Sequence, residues 1–152
     1  MIALALLLAL LPRDALGTFE SWGAFRDASP LRCFAIAQPA DRAGRGAFAS
    51  IATWPREGVR NQLHIRLSRP RAATARVTLS IGERRFELRA GDADAWAPDA
   101  RTDAAVVTAI REGRSISVET LGANGAAFAD TYALKGAATA IDAAAVGCAP
   151  RP

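Results

Sequence analysis

The feature that most constrains this chain is a pair of cysteines, Cys33 and Cys148, which are the only two among its 152 residues. Cys33 lies in an apolar stretch near the beginning, and Cys148 closes an alanine-rich stretch near the end. In an oxidising compartment such thiols most simply form one disulfide, whereas in the cytosol they would be two unrelated buried residues. For an exported chain, the sequence therefore predicts a Cys33–Cys148 bond that ties the last element to an early strand.

The N-terminus has the pattern of a secretory signal. Residues 2–11 form an unbroken apolar run, which Pro12 ends and which small residues up to Gly17 follow. The run is too short for a membrane-spanning helix, which needs roughly 20 apolar residues. We predict a signal peptide over residues 1–17 and one β-rich exported domain over residues 18–152, periplasmic or secreted and without a transmembrane segment. A buried N-terminal helix is the alternative interpretation.

The clearest local pattern is a hairpin in the middle of the chain. Residues 77–89 form two stretches that alternate apolar and polar side chains around Gly82 and Glu83. A two-residue loop with glycine first favours a type II′ turn. That turn would place Leu79 opposite Phe86, so that the apolar side chains of both strands share one face.

The rest of the chain divides into short strands and two helices. Further strands are predicted over residues 19–25, 31–38, 47–54, 63–67, 115–121 and 126–134. Between them, residues 91–99 are predicted as an acidic loop around Trp96. A helix capped by Asp99 or Thr102 is predicted to run to about Glu112, and a second helix to precede Cys148.

The strand over residues 126–134 leaves its orientation open, because facing Phe128 and Tyr132 inward would also bury Asp130. The elements together predict a mainly β fold, an antiparallel β-sandwich of about eight short strands with two short helices.

The titratable residues form no catalytic or metal-ligating pattern. The single histidine, His64, lies on the polar face of a predicted strand, and no G-x-S-x-G motif accompanies it. Asp92, Asp94 and Asp99 lack the spacing of a calcium loop, and the two cysteines lie too far from His64 in sequence to suggest zinc. We therefore predict no enzyme activity, no metal and no cofactor. A hydrolase that uses His64 is the least favoured alternative.

The chain is basic, with a net charge of +4 and a pI near 10.0, and it contains only one lysine, Lys135. Because a bias toward arginine accounts for this charge, nucleic-acid binding is not predicted. Four arginines on polar strand faces form a candidate site for an anionic envelope ligand, with a solubilising surface as the alternative: Arg66, Arg76, Arg85 and Arg89. Three tryptophans are interpreted as core or rim anchors rather than as a sugar-stacking platform: Trp22, Trp54 and Trp96.

The C-terminal part of the chain resembles a known family. A predicted helix is followed by Gly113-Arg114-Ser115, a strand, the segment Asp130-Thr131-Tyr132-Ala133-Leu134-Lys135-Gly136, a helix with Ala140-Ile141, and Cys148. With the early Trp22 and Cys33, this succession resembles the invasion-associated locus B family, which consists of small exported proteins of Gram-negative α-class bacteria. The resemblance implies a periplasmic or envelope-associated β-sandwich with no established enzyme activity.

These observations predict a non-catalytic periplasmic or cell-envelope protein that acts by binding or by supporting the envelope. Its partner would be an envelope component or another protein. The alternative function is a binding or inhibitor module that holds an anionic envelope ligand on the arginine-rich face.

Overall fold

The computed structural model of the chain describes residues 13–41 and 46–150. The strands are β1 Arg13–Phe19, β2 Trp22–Ala28, β3 Leu31–Ala37, β4 Phe48–Trp54, β5 Val59–Arg66, β6 Val77–Ile81, β7 Arg84–Ala90, β8 Asp94–Trp96, β9 Ser115–Leu121 and β10 Ala127–Ala133. The helices are α1 Ala100–Glu112 and α2 Ala137–Gly147, and a single 3-10 turn covers Pro55–Glu57.

The described strands form one antiparallel sheet of ten, in the order β1-β2-β3-β4-β5-β8-β7-β6-β9-β10. The mainly β, antiparallel class predicted from the sequence is confirmed. The strand count exceeds the predicted eight, because β1 lies mostly within the predicted signal peptide and β8 lies within a predicted loop. All ten strands follow one another in a continuous hydrogen-bonded order. The predicted division into two packed sheets is therefore not confirmed.

The chain reverses at Glu20 and Ser21, so the single strand predicted over residues 19–25 is wrong. Phe19 pairs directly with Trp22, and Glu20 adopts a left-handed backbone with φ +57°. Such a conformation is uncommon for a residue with a side chain, and glycine or asparagine normally marks it. Because neither residue type is present at this turn, the sequence pattern gave no sign of it.

The two ends of the strand order come together, which shows that the sheet is curled. The indole N–H of Trp22 in β2 donates to the Ala133 carbonyl in β10 over 2.8 Å. The Ala40 N–H after β3 donates to the Thr131 carbonyl over 2.7 Å. Gly136 packs so closely against the β1–β2 turn that an added Cβ would overlap the Phe19 carbonyl.

The concave side of this sheet, here called the inner face, holds the hydrophobic core and both helices. Helix α2 packs against β1 to β4, and α1 packs against β5 and β7. Asp99 caps α1 by accepting from the Thr102 N–H over 2.7 Å, which decides between the two predicted caps. The largest fully buried side chains of the core come from both halves of the sheet and from α2, among them Trp22, Leu63, Leu79, Tyr132 and Ile141.

The predicted hairpin is confirmed residue by residue. The β6–β7 pairs are Val77 with Leu88, Thr78 with Glu87, Leu79 with Phe86, and Ser80 with Arg85. Gly82 has φ +58°, which the first position of a type II′ turn requires.

The sequence left undecided which face of β10 points inward, and in the structure this face includes Asp130. Its side chain lies in the protein interior beside Tyr132, and its Oδ2 accepts from the Ser68 N–H over 2.8 Å. The carboxylate thus satisfies a backbone donor just beyond β5. A buried polar group that is paired in this way does not carry the full cost of desolvation.

The predicted disulfide is confirmed: Cys33 and Cys148 are bonded, 115 residues apart in sequence. Cys33 is fully buried in β3, and Cys148 follows the last residue of α2. The bond therefore attaches the end of the final helix to the third strand of the sheet.

Residues 13–17, part of the predicted signal peptide, belong to β1. Arg13 forms a two-pronged ion pair with Asp27 in β2, and Leu16 packs against Gly147 at the end of α2. The rest of the predicted signal peptide lies outside the described residues, and its cleavage stays a prediction. Among the helices of the described residues, none has the length and apolar character needed to cross a bilayer.

We expect Gly136→Ala to destabilise the fold by at least about 2 kcal/mol, because it adds strain at φ +89° to an overlap with Phe19. The matched control is Gly125→Ala, where φ is +81° but nothing lies within 4 Å of the added carbon. Its cost should be about 1 kcal/mol. Urea unfolding followed by circular dichroism measures both, and equal losses would contradict the close packing of Gly136.

Replacing both cysteines by alanine should lower the free energy of unfolding by roughly 4 kcal/mol, because the disulfide closes a loop of more than a hundred residues. Reductant should lower the stability of the wild-type protein by a similar amount and leave the double variant unchanged. Denaturant titration measures both effects. A double variant as stable as the oxidised protein would refute the bond's contribution.

Candidate functional site

The candidate site lies on the outer face, which is the side of the sheet opposite the two helices. Here the short strand β8 inserts between β5 and β7. Its register places Trp96 opposite His64 on one side and opposite Arg89 on the other, and Asp94 opposite Arg66. Because paired residues of adjacent strands point to the same face, these side chains meet.

Asp94 connects an imidazole and a guanidinium on this face. Its Oδ1 lies 2.8 Å from His64 Nε2, and its Oδ2 lies 2.6 Å from a terminal nitrogen of Arg66. Because a carboxylate accepts hydrogen bonds, Nε2 of His64 is the donor in this contact. One carboxylate therefore orients both an imidazole and a guanidinium.

Two aromatic rings hold the imidazole on its other sides. The Trp96 ring stacks on His64 at 5.1 Å with an interplanar angle of 9°. The Phe48 ring meets His64 edge-on at 5.0 Å and 88°. We call Phe48, His64, Arg66, Asp94 and Trp96 the histidine cluster. Its polar members keep a quarter to a half of their side-chain surface exposed, so the cluster is both fixed and accessible.

A cleft of about 440 Å³ adjoins the cluster where β8 ends and the chain turns into α1. Strand β5 starts several residues before its first partner in β8, which leaves this space beside it. The residues that line the cleft with polar or aromatic side chains are Arg60, Gln62, Arg89, Trp96, Asp99 and Asp103.

Before His64, β5 has no partner residue in β8, and there Asp103 accepts a hydrogen bond from the β5 backbone. Although it belongs to α1, it is largely buried, and its Oδ1 accepts from the Leu63 N–H over 2.9 Å. Burial raises the pKa of this carboxyl, against the opposing effect of the hydrogen bond from Leu63. At the rim of the cleft, hydrogen bonds from Thr102 hold the pKa of Asp99 below its ordinary value.

The neighbouring part of the outer face is occupied by contacts among its own residues. The Arg32 guanidinium lies 4.1 Å above the Phe34 ring and 5.1 Å from the Trp54 ring, and it is 3.0 Å from Asp27. The hydrogen bond from Arg13 holds the pKa of Asp27 below its ordinary value. These contacts stabilise β1 to β4.

The four predicted arginines do not form one continuous cationic surface. Arg66 is paired with Asp94, and Arg76 lies 3.7 Å from Glu87. Arg85 is exposed opposite Ser80, and Arg89 stands opposite Trp96 at the cleft. Two of the four therefore have a carboxylate beside them. Their role in binding stays a prediction.

His64 lies on the outer face, as its strand pattern predicted, but the sequence did not indicate its surroundings. Residues 91–99 were predicted as a loop, and the structure shows that this is wrong, since β8 lies within them. The alternation of alanines with Asp94 and Trp96 was the signal that could have revealed this strand. In the described residues, no group of three or more histidine, cysteine or acidic side chains could hold a metal ion.

No protein-family model matches the sequence, and no curated protein matches it. Among solved structures, the crystal structure of invasion associated protein B from Bartonella henselae superposes with a TM-score of 0.62 at 15% sequence identity. The match covers 85% of this chain and 94% of that protein. The two proteins share a fold. This likeness confirms, at the level of the fold, the resemblance that the C-terminal motifs indicated.

We expect Asp103→Asn to stabilise the protein more at about pH 7 than at about pH 4, because it keeps an acceptor for the Leu63 N–H and removes a buried charge. The folded-state pKa of Asp103 is raised, so the wild-type protein loses stability as pH rises above the unfolded value of 3.8. Unfolding free energies of both proteins at the two pH values test this.

Asp103→Ala is the comparison, because it leaves the Leu63 N–H without its acceptor. Its cost should be about 1–3 kcal/mol at about pH 4 and smaller at about pH 7, because this variant also removes the buried charge. If Asp103→Asn changed stability equally at the two pH values, the proposed effect of burial on this carboxyl would be wrong.

Proposed function

We propose that the protein is a non-catalytic cell-envelope protein of the invasion-associated protein B type, which binds its ligand on the outer face at the histidine cluster. Two observations support export to the periplasm or beyond: the apolar N-terminal run and the Cys33–Cys148 bond. Disulfides persist mainly in oxidising compartments. The shared fold agrees with this assignment.

Binding is supported above all by the geometry of the histidine cluster. Aromatic rings and charged groups lie side by side on a face that the helices do not cover, and each polar group is held by a neighbour. Groups that are already oriented lose little conformational entropy when a ligand binds. Half-exposed aromatic and arginine side chains are also the types that contribute most at binding sites.

The second candidate function, capture of an anionic envelope ligand, is supported by Arg85 and Arg89. Both lie on the outer face of β7, and neither forms an ion pair within 4.0 Å among the described residues. Their separation along the strand is four residues, or roughly 13 Å. A ligand held by both would therefore carry charges at that spacing, as an anionic membrane or polymer does.

A hydrolase that uses His64 retains one supporting observation, the 2.8 Å contact between His64 and Asp94. Such a contact orients an imidazole as a general base. Ser50 stands opposite His64 in β4, but no hydrogen bond joins the two side chains in the described structure. The arrangement therefore lacks an activated nucleophile, and binding is the function that the geometry supports better.

The binding proposal predicts that the double variant His64→Ala, Trp96→Ala loses an envelope component that the wild-type protein retains. Each protein would be immobilised and exposed to an envelope extract of a Gram-negative α-class bacterium. The retained material would then be identified by mass spectrometry and sugar analysis. Arg114→Ala, away from the cluster, is the matched control and should behave as wild type. Identical retention by all three proteins would refute binding at the histidine cluster.

A further inference from the structure

The cleft beside Trp96 is lined by an aromatic ring, by hydrogen-bond donors and by carboxylates. We propose that it is a subsite for a glycan, with one sugar ring packed against Trp96. This inference rests on the proposed binding function and adds the chemical class of the ligand. Four features of the cleft carry it: a fixed aromatic wall, hydrogen-bond donors, hydrogen-bond acceptors, and a suitable size.

The aromatic wall is Trp96, whose position is fixed before any ligand arrives. His64 covers one face of the indole, and Asp94 and Phe48 in turn hold His64. The same tryptophan also lines the cleft. A rigid indole offers an apolar surface that complements the C–H face of a sugar ring and loses little entropy on binding.

The donors and acceptors around this wall suit hydroxyl groups. Gln62 supplies both a donor and an acceptor, and Arg60 and Arg89 supply donors. Asp99 uses Oδ1 to accept from Thr102, which leaves its Oδ2 for another donor. A sugar hydroxyl both donates and accepts, so it can use each of these groups.

Other ligand classes fit the lining less well. A phosphate or carboxylate would meet the two arginines, but it would also face the carboxylates of Asp99 and Asp103. A folded protein needs a broad interface of roughly 1,000 Å² or more, whereas this cleft is narrow and concave. Its volume is about 440 Å³. That volume falls in the range of roughly 300–1,000 Å³ that small-ligand sites occupy.

The test is a glycan array that carries neutral hexose, N-acetylhexosamine and uronic-acid oligosaccharides, probed with the full chain. We expect the wild-type protein to bind at least one of these classes. Gln62→Ala should weaken that binding about tenfold, the loss of one to two hydrogen bonds, and Trp96→Ala should abolish it. Arg114→Ala, which lies outside the cleft, should bind as wild type. Binding of a neutral hexose or N-acetylhexosamine oligosaccharide supports the proposal, whereas binding of uronic-acid oligosaccharides alone would contradict it, because Asp99 and Asp103 line the cleft.

Tryptophan fluorescence gives a second readout that does not depend on the Trp96 substitution. In Trp54→Phe, the remaining indoles are Trp22, which is fully buried, and Trp96. Titration with the glycan selected on the array should therefore change the emission of Trp96 alone. Circular dichroism of every variant checks that it is folded.

The proposal is overturned if no class on the array binds, or if binding is unchanged in both Gln62→Ala and Trp96→Ala. Retention of envelope material that still requires His64 and Trp96 would then show that the protein binds at the cluster but not through a glycan. If, in addition, retention of envelope material did not require His64 and Trp96, the proposed binding function would be refuted as well.

Discussion

The covalent bond between Cys33 and Cys148 decides where the last helix can lie, and much of the structure follows from that position. With its end fixed to β3, α2 spreads over β1 to β4 and supplies the apolar side chains that these alanine-rich strands need as partners. Small strand residues such as Ala24, Ala35 and Ala49 allow the helix to approach closely. Covering the inner face in this way leaves the outer face as the surface on which larger side chains collect.

The candidate site depends on a second constraint, the shortness of β8. Three residues suffice to bring Asp94 and Trp96 beside Arg66 and His64, and the early end of the strand opens the cleft. The same segment thus fixes the aromatic wall and creates the space next to it. Neither feature would exist if residues 91–99 formed the loop that their composition suggests.

The parts of the fold that were predictable are those in which turn chemistry and apolar alternation agree. The β6–β7 hairpin had both a glycine-first turn and one consistent apolar face, and its register followed from them. The reversal at Glu20 had no turn residue, and the alternation around β8 is short and lies in a stretch whose composition is typical of a loop. The histidine cluster joins residues about thirty positions apart, so no local pattern could reveal it. Only the pairing of β5 with β8 brings it together.

Asp103 has an effect on which molecules can reach the site. Where β5 lacks a neighbouring strand, a side chain from α1 already occupies the Leu63 amide. An unpaired strand edge normally invites an extended peptide to add itself to the sheet. Here such a peptide would have to displace a helix that is packed into the core. The strand edge beside Trp96 is thus closed to the addition of another strand at Leu63, while the cleft next to it stays open.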